Sequence, residues 1–261
     1  MNIIVCLKQV PGTTEVRIDP KTNTLVRQGI KNIINPFDTY ALEEGVRLKE
    51  RYGGKVTIIS MGPPQAEQML REAISVGADE AILLSDAAFA GADTWATAYT
   101  LGKAISKSGQ YDIVVCGRQT LDGDTGQVGP ELAEMLSVPF VAYVSQIEEI
   151  ADGQIRVRRM IDEGHEIIQS PLPAVITVTK EINVPRLPSL RGIARAKRTV
   201  IPVWTAQALG VDPGKVGLAG SFTRVIKIFT PQRTRQGEIL QGAIEEQAES
   251  LISKLREAKL I

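Results

Sequence analysis

Histidine is nearly missing from this 261-residue chain, which carries only His165, and cysteine is confined to Cys6 and Cys116. One imidazole and two separated thiols, with no C-x-x-C, are too few for a zinc site. No apolar run approaches the roughly 20 residues that a membrane-spanning helix needs. Neither sign of charge is in excess, since 30 basic residues balance 30 acidic ones. That balance calls for neither nucleic acid nor a membrane surface as partner. The three-glycine dinucleotide fingerprint and the P-loop are both absent, which excludes an ordinary Rossmann dehydrogenase and a P-loop nucleotidase. The start, Met1-Asn2-Ile3-Ile4-Val5-Cys6-Leu7-Lys8, has no basic n-region and no cleavage site, so it reads as a first strand rather than a secretory leader. A cytoplasmic, reduced, metal-free protein is the expectation.

Aromatics are scarce too, at 5%. The core must then be built from Val, Ile, Leu and Ala, which suits parallel strands covered by helices on both faces. Short β-branched runs do alternate with helical patterns. Strands are expected over residues 3–7, 56–61, 81–84 and 113–116. Helices are expected over residues 37–51, from Pro63-Pro64 to Val76, and over 93–106 and 127–136. This rhythm predicts an α/β fold with a doubly wound parallel sheet, Rossmann-like in architecture. Residues 140–150, 155–159 and 166–169 read as extended, with Asp152-Gly153 and Asp162-Glu163-Gly164 as turns. Together with a short buried strand at 174–179 they predict an antiparallel addition at a sheet edge. The α/β domain is expected over residues 1–200. Residues 201–261 read as an arm, punctuated by Pro202, Pro213, Gly214, Gly217, Gly220 and Pro231 and closed by an amphipathic helix. Ile244, Ala248, Leu251, Ile252 and Leu255 share one face of that helix. Such a face cannot bury itself, and the residues alone leave two options: it folds back on its own sheet or it wraps a partner.

Ligands of open α/β sheets bind beyond the carboxyl ends of the strands, and small and polar residues follow each strand here. They are Lys8-Gln9-Val10-Pro11, Ser60-Met61-Gly62-Pro63, Gly91-Ala92-Asp93-Thr94 and the segment from Gly117 to Gln127. In the last, Gly123 and Gly126 permit close backbone approach. The segment runs into a helix whose free N–H groups favour an anion, and Thr125 adds a hydroxyl donor. A turn at Asp122-Gly123 and an N-cap at Asp124 or Thr125 would explain one such loop. Four strand tips of the same character point to a phosphate or pyrophosphate ligand. Asp38 can cap the first helix, or Asn35 can hydrogen-bond an adenine edge. Cys6 and Cys116, without a neighbouring histidine, read as small hydrophobes. Glu43-Glu44 and Glu148-Glu149 read as surface charge and His165 as a solvated turn residue. With no acid–base pair or triad, the chemistry falls to a cofactor.

Val157-Arg158-Arg159-Met160-Ile161-Asp162-Glu163-Gly164-His165-Glu166-Ile167-Ile168, followed by Pro173-Ala174-Val175-Ile176-Thr177, resembles the motif of electron transfer flavoprotein beta subunits. The resemblance extends through residues 5–11, Asn35-Pro36-Phe37-Asp38, Ser60-Met61-Gly62-Pro63 and Arg186-Leu187-Pro188-Ser189-Leu190. It implies the adenine-nucleotide alpha hydrolase-like variant of the α/β fold. It also implies a heterodimer with an alpha subunit, on whose flavin domain the arm packs. The loop Asp122-Gly123-Asp124-Thr125-Gly126-Gln127-Val128-Gly129-Pro130 and Gly91-Ala92-Asp93-Thr94 are similar to the branch that holds FAD in the beta subunit, where other branches hold AMP.

That branch, found in anaerobic metabolism, takes hydride from NADH. It sends one electron to a low-potential acceptor such as ferredoxin and the other, through the alpha-subunit FAD, to a flavin-containing dehydrogenase. Carried over to this chain, Cys6, Asn35, Asp38 and Met61 line the adenosine. Residues 123–128 (Gly123, Asp124, Thr125, Gly126, Gln127, Val128) hold the phosphates, and Gly117 is a further cofactor-binding residue. Asp93 and Thr94 face the ribityl or flavin portion, and Leu190 docks the partner dehydrogenase. A universal-stress-type nucleotide-binding regulator shares the fold, but its Gly-rich ATP loop is absent.

Overall fold

The computed structural model describes residues 1–12, 32–227 and 237–261. It falls into two compact units, Met1–Ile226 and Lys227–Ile261. The first is built on a nine-stranded sheet whose order is β11 (Val203–Trp204), β5 (Glu80–Leu84), β4 (Lys55–Met61), β1 (Asn2–Cys6), β6 (Ile113–Gly117), β10 (Ala174–Val178), β7 (Phe140–Ala151), β8 (Gln154–Ile161) and β9 (Gly164–Pro171). Its central strands are β1 (Asn2–Cys6), β4 (Lys55–Met61), β5 (Glu80–Leu84) and β6 (Ile113–Gly117), each with a nearly continuous buried run. All pair in parallel, as strands covered on both faces must. Helices α1 (Pro36–Tyr52) and α2 (Glu67–Val76) carry the chain from β1 to β4 and on to β5. Helix α3 (Thr94–Ser108) then returns it across β1 to β6, and α4 (Val128–Leu136) follows.

One apolar layer joins Ile3, Val5, Val56 and Ile58 to α1 and α2; the other joins Ile4, Ile59, Val114 and Leu132 to α3 and α4. The strand order therefore reverses between β1 and β6, which is where an open α/β sheet forms its ligand crevice. A two-stranded hairpin, β2 (Gln9–Pro11) with β3 (Asn32–Ile34), borders it.

Strands β7 (Phe140–Ala151), β8 (Gln154–Ile161) and β9 (Gly164–Pro171) form the expected antiparallel addition. The strand β10 (Ala174–Val178) is no part of it. It enters between β6 and β7 and runs parallel to both, because its five residues are all buried and need cover on both sides. Pro63-Pro64 opens a 3-10 turn over Pro64–Ala66 before α2 begins. Past residue 180, α5 (Leu190–Arg198) packs on α2, and β11 (Val203–Trp204) pairs with β5 at the far edge. The short α6 (Ala206–Leu209) and two 3-10 turns complete the first unit. In the second unit, α7 (Ile244–Glu257) has no buried residue, and Ile244, Leu251 and Ile252 are exposed.

Glu43 and Glu44 are not surface charge: they are 2% and 8% exposed. Residues 183–186 cover this part of α1. Arg186 and Arg47 both bond Glu43, and Asn183 Nδ2 donates to Glu44 Oε2 at 2.9 Å. Burial raises the Glu44 pKa, and the Asn183 hydrogen bond and the nearby Arg47 charge offset it only in part. Burial also pushes Glu43 upward, but the hydrogen bonds from Arg186 and Arg47 outweigh it and hold Glu43 below its ordinary 4.5. Ionised Glu43 therefore contributes stability above about pH 4.5 that is lost as pH falls through its lower folded value. Arg186→Ala is expected to cost roughly 1–2 kcal/mol, less than a fully buried pair because Arg186 is partly solvated. Chemical denaturation from pH 3 to 7 should show the deficit near neutrality and its disappearance in acid.

Candidate functional site

At the switch point, Cys6 and Cys116 are register partners at the ends of β1 and β6. Both are free and buried. The hydrogen bond between them, together with burial, raises the Cys116 pKa well above its ordinary value, which disfavours a thiolate. Met61 is half-buried at the end of β4, the next strand along.

The N-terminus of α1 lies directly over β6. A Cβ on Gly117 would stand 2.3 Å from Asp38 Oδ1 and 2.7 Å from the Phe37 carbonyl carbon, so only glycine fits there. Asn35 occupies the N-cap position but makes no side-chain cap bond. Its carboxamide reaches across instead. Nδ2 donates to Asp38 Oδ1 (2.9 Å) and to Gln119 O (2.8 Å), while Oδ1 accepts from Leu121 N (3.0 Å). The amide is thus consumed in holding the loop after β6 and has no N–H left for an adenine edge. Asp38 is the third residue of the helix rather than its cap. Its carboxyl accepts from Lys8 N at 2.7 Å and from the Gly117 N–H. Burial lifts its pKa from 3.8 to about 7, although bonds from Asn35, Lys8 and Gly117 pull the other way.

The loop over residues 118–127 stands on three props. Arg118 N donates to Val178 O (3.1 Å), Asn35 holds residues 119 and 121, and Lys8 Nζ pairs with Asp122 Oδ1 at 2.6 Å. Burial would raise Asp122, yet the Lys8 hydrogen bond and charge keep it below the usual carboxylate range. Asp124 and Gly126 both have positive φ, 51° and 63°. Asp124 N closes a turn onto Thr120 O, and its carboxylate accepts from Gln119 Nε2. Residues 121–127 are exposed. Among the described residues, the N–H groups of Gly123, Thr125, Gly126, Gln127 and Val128 have no acceptor. They precede or open α4, whose dipole adds to the same field. A Cβ on Gly123 would meet only ordinary contacts, Thr120 Oγ1 at 3.4 Å and Lys8 Nζ at 4.0 Å. That donor set fits the phosphates of a nucleotide.

The α3 N-terminus stands beside this loop. The Thr94 hydroxyl lies 3.0 Å from Glu131 Oε1 and 3.4 Å from Gln127 Oε1. Asp93 caps α3 through Ala96 N (3.0 Å), and its other oxygen accepts from Thr223 N (2.9 Å) and Thr223 Oγ1 (3.2 Å). The Asp93 carboxylate is therefore divided between capping α3 and holding Thr223, while the Asp93 N–H donates to Ser221 Oγ at 2.8 Å. Leu190 belongs to a different surface. It is 88% exposed at the start of α5, which packs at the amino end of β5: a Cβ on Gly192 would meet Ser75 O, and Arg195 bonds Ile74 O and Ala78 O.

Three participants escaped sequence reasoning. Lys8 and Gln119 lay in quoted segments, but nothing in their identity said what they would bond. Arg118 stands within cation–π distance of both Phe37 (5.7 Å) and Tyr143 (5.6 Å), and Tyr143 has φ +58°. No residue pattern signals that contact.

Asp38 gives a pH test. A carboxyl raised in the folded state contributes stability that is complete below pH 3.8 and is lost as pH rises through about 7. Asp38→Asn should flatten this part of the stability–pH curve. A variant whose thermal midpoint still falls by the wild-type amount between pH 4 and 7 would assign the dependence elsewhere.

A family model described as electron transfer flavoprotein domain matches residues 22–209. A protein of Thermoanaerobacterium thermosaccharolyticum named electron transfer flavoprotein subunit beta is 53% identical over 262 residues, covering 100% of both chains. Caffeyl-CoA reductase-Etf complex subunit CarD of Acetobacterium woodii is 47% identical over 263 residues, again covering 100% of both. Protein FixA of Azotobacter vinelandii is 43% identical over 249 residues, 93% of this chain and 89% of that one.

Proposed function

The chain belongs to the electron transfer flavoprotein family as a beta subunit, and from that premise we propose that it binds FAD at the β1–β6 switch point and accepts electrons from NADH. The observation that carries this reading is the row of unpaired N–H groups at Gly123, Thr125, Gly126, Gln127 and Val128 in an exposed loop held open by Lys8 and Asn35. When bound, FAD supplies hydride acceptance and one-electron transfer. The chain's own residues grip and orient. The loop N–H groups take the pyrophosphate, and Cys6 and Met61 give the adenosine an apolar wall. Asn35 and Asp38 fix the loop from below. Thr94 and Gln127 face the ribityl side, and Asp93 ties the α3 N-terminus to the root of the arm.

In this reading the second unit, from Lys227, packs on the alpha subunit, and the exposed face of α7 is the surface that does so. Leu190 is exposed, as are Val184 and Leu187 in the segment before it, and it docks a flavin-containing dehydrogenase. The relative from Acetobacterium woodii is named as part of a complex with a reductase, which suits such a partner. In the same reading, FAD held here would supply one electron to a ferredoxin-type acceptor and the other to the alpha-subunit FAD, and the protein works in the cytoplasm.

Co-purification with the alpha subunit tests the cofactor. Two FAD per heterodimer, bleached by NADH, is the expected result; one FAD with one AMP would make the chain an AMP-holding carrier subunit. Asp124→Ala removes the bond from Gln119 and places alanine at positive φ. It should lower the content to about one FAD, and an undiminished two would remove the loop from the site. Truncation after Ile226 should leave a folded first unit that no longer co-purifies with the alpha subunit. A stable truncated heterodimer would show that the arm is dispensable.

A further inference from the structure

Arg118 has a setting that the reading above does not use. It follows β6 directly, and no described carboxylate lies within ion-pair distance of it, whereas Lys8, the neighbouring cation, is paired with Asp122. The side chain is partly buried. Phe37 and Tyr143 lie within cation–π distance of the guanidinium, which interacts with the ring faces and leaves the in-plane N–H groups uncommitted. Nε donates to Gln119 Oε1. The N–H groups of the two terminal nitrogens have no acceptor among the described residues.

Two features argue that this arrangement is maintained for a ligand. Tyr143 keeps φ at +58°, a region costly for an aromatic residue, at a point where the β7–β10 register shifts. Gln119 also couples Arg118 to the anion loop, accepting from Arg118 Nε with its oxygen and donating to Asp124 Oδ1 with its nitrogen. A planar cation held by aromatic rings, with its fork free, matches the oxygens of a phosphate. The rim otherwise carries the carboxylates of Asp122 and Asp124, so an anionic ligand there needs an unpaired cation.

We propose that Arg118 is a phosphate-binding residue of this site, donating from its terminal nitrogens to a phosphate of an adenine nucleotide. The proposal rests on the nucleotide reading of the switch point. The phosphate has two sources, the resident cofactor and the arriving dinucleotide NADH, and the same chemistry serves either.

The test uses heterodimers of wild type, Arg118→Ala and Arg118→Lys. Three quantities are read: adenine nucleotide released on denaturation, the Kd for NADH, and the Kd for ADP on nucleotide-stripped protein. Arg118→Ala should weaken ADP at least tenfold, and Arg118→Lys should recover part of that loss with a steeper dependence on salt. A fall in released nucleotide identifies the resident cofactor as the source. Full nucleotide content with at least tenfold weaker NADH identifies the arriving one. ADP, NADH and nucleotide content all within twofold of wild type in Arg118→Ala would overturn the proposal. The parent reading is judged on wild type alone: a wild-type heterodimer that releases no adenine nucleotide contradicts it, while the ADP comparison still decides the role of Arg118.

Discussion

The site depends on one close approach, that of the first turn of α1 to the end of β6. It exists because residue 117 has no side chain: Phe37 and Asp38 fill the volume that a Cβ would need. The contact lets Asp38 take N–H groups from Lys8 and Gly117, and it brings the Asn35 carboxamide within reach of Gln119 and Leu121. The loop after β6 is thereby fastened at its base, while the N–H groups of Gly123, Thr125, Gly126, Gln127 and Val128 have no acceptor among the described residues. A side chain at 117 would separate helix from strand and release both partners of Asn35 together.

Electrostatics are arranged around the same contact. The loop carries Asp122 and Asp124, an unpromising composition for binding phosphate. Each is occupied by a neighbour, Asp122 by Lys8 and Asp124 by Gln119. The donors left without an acceptor among the described residues are the loop N–H groups and the terminal nitrogens of Arg118, and the α4 dipole adds to their field. Burial lifts the pKa of Asp38, below the loop, to about 7, so it is only partly ionised at neutral pH.

The alternation of strands and helices was legible because buried parallel strands must be continuously apolar and helices must be periodic. The loops that follow the strands stood out in the sequence because small and polar residues gather after each of them. Two kinds of information were not. Strand order is one: β10 reads as a short apolar strand wherever it lies, and only tertiary pairing sets it between β6 and β7. Burial by a remote segment is the other. Glu43 and Glu44 look like the polar side of α1, and only the return of residues 183–186 covers them. Asn35 was identified as a site residue, but whether its amide would face a ligand or a loop depended on a contact 84 residues away. Tyr143 and Arg118 were illegible for the same reason, since a backbone angle and a stacking distance have no sequence signature.

The proposed function rests on the backbone N–H groups of Gly123, Thr125, Gly126, Gln127 and Val128 holding the phosphates of an adenine cofactor. Amide hydrogen exchange on the heterodimer, with its nucleotide in place and after stripping, addresses those N–H groups one by one. The account predicts strong protection of Gly123, Thr125, Gly126, Gln127 and Val128 that is lost on stripping, while β1 and β6 exchange alike in both states. Equal, rapid exchange of the five in the loaded and stripped proteins would contradict it.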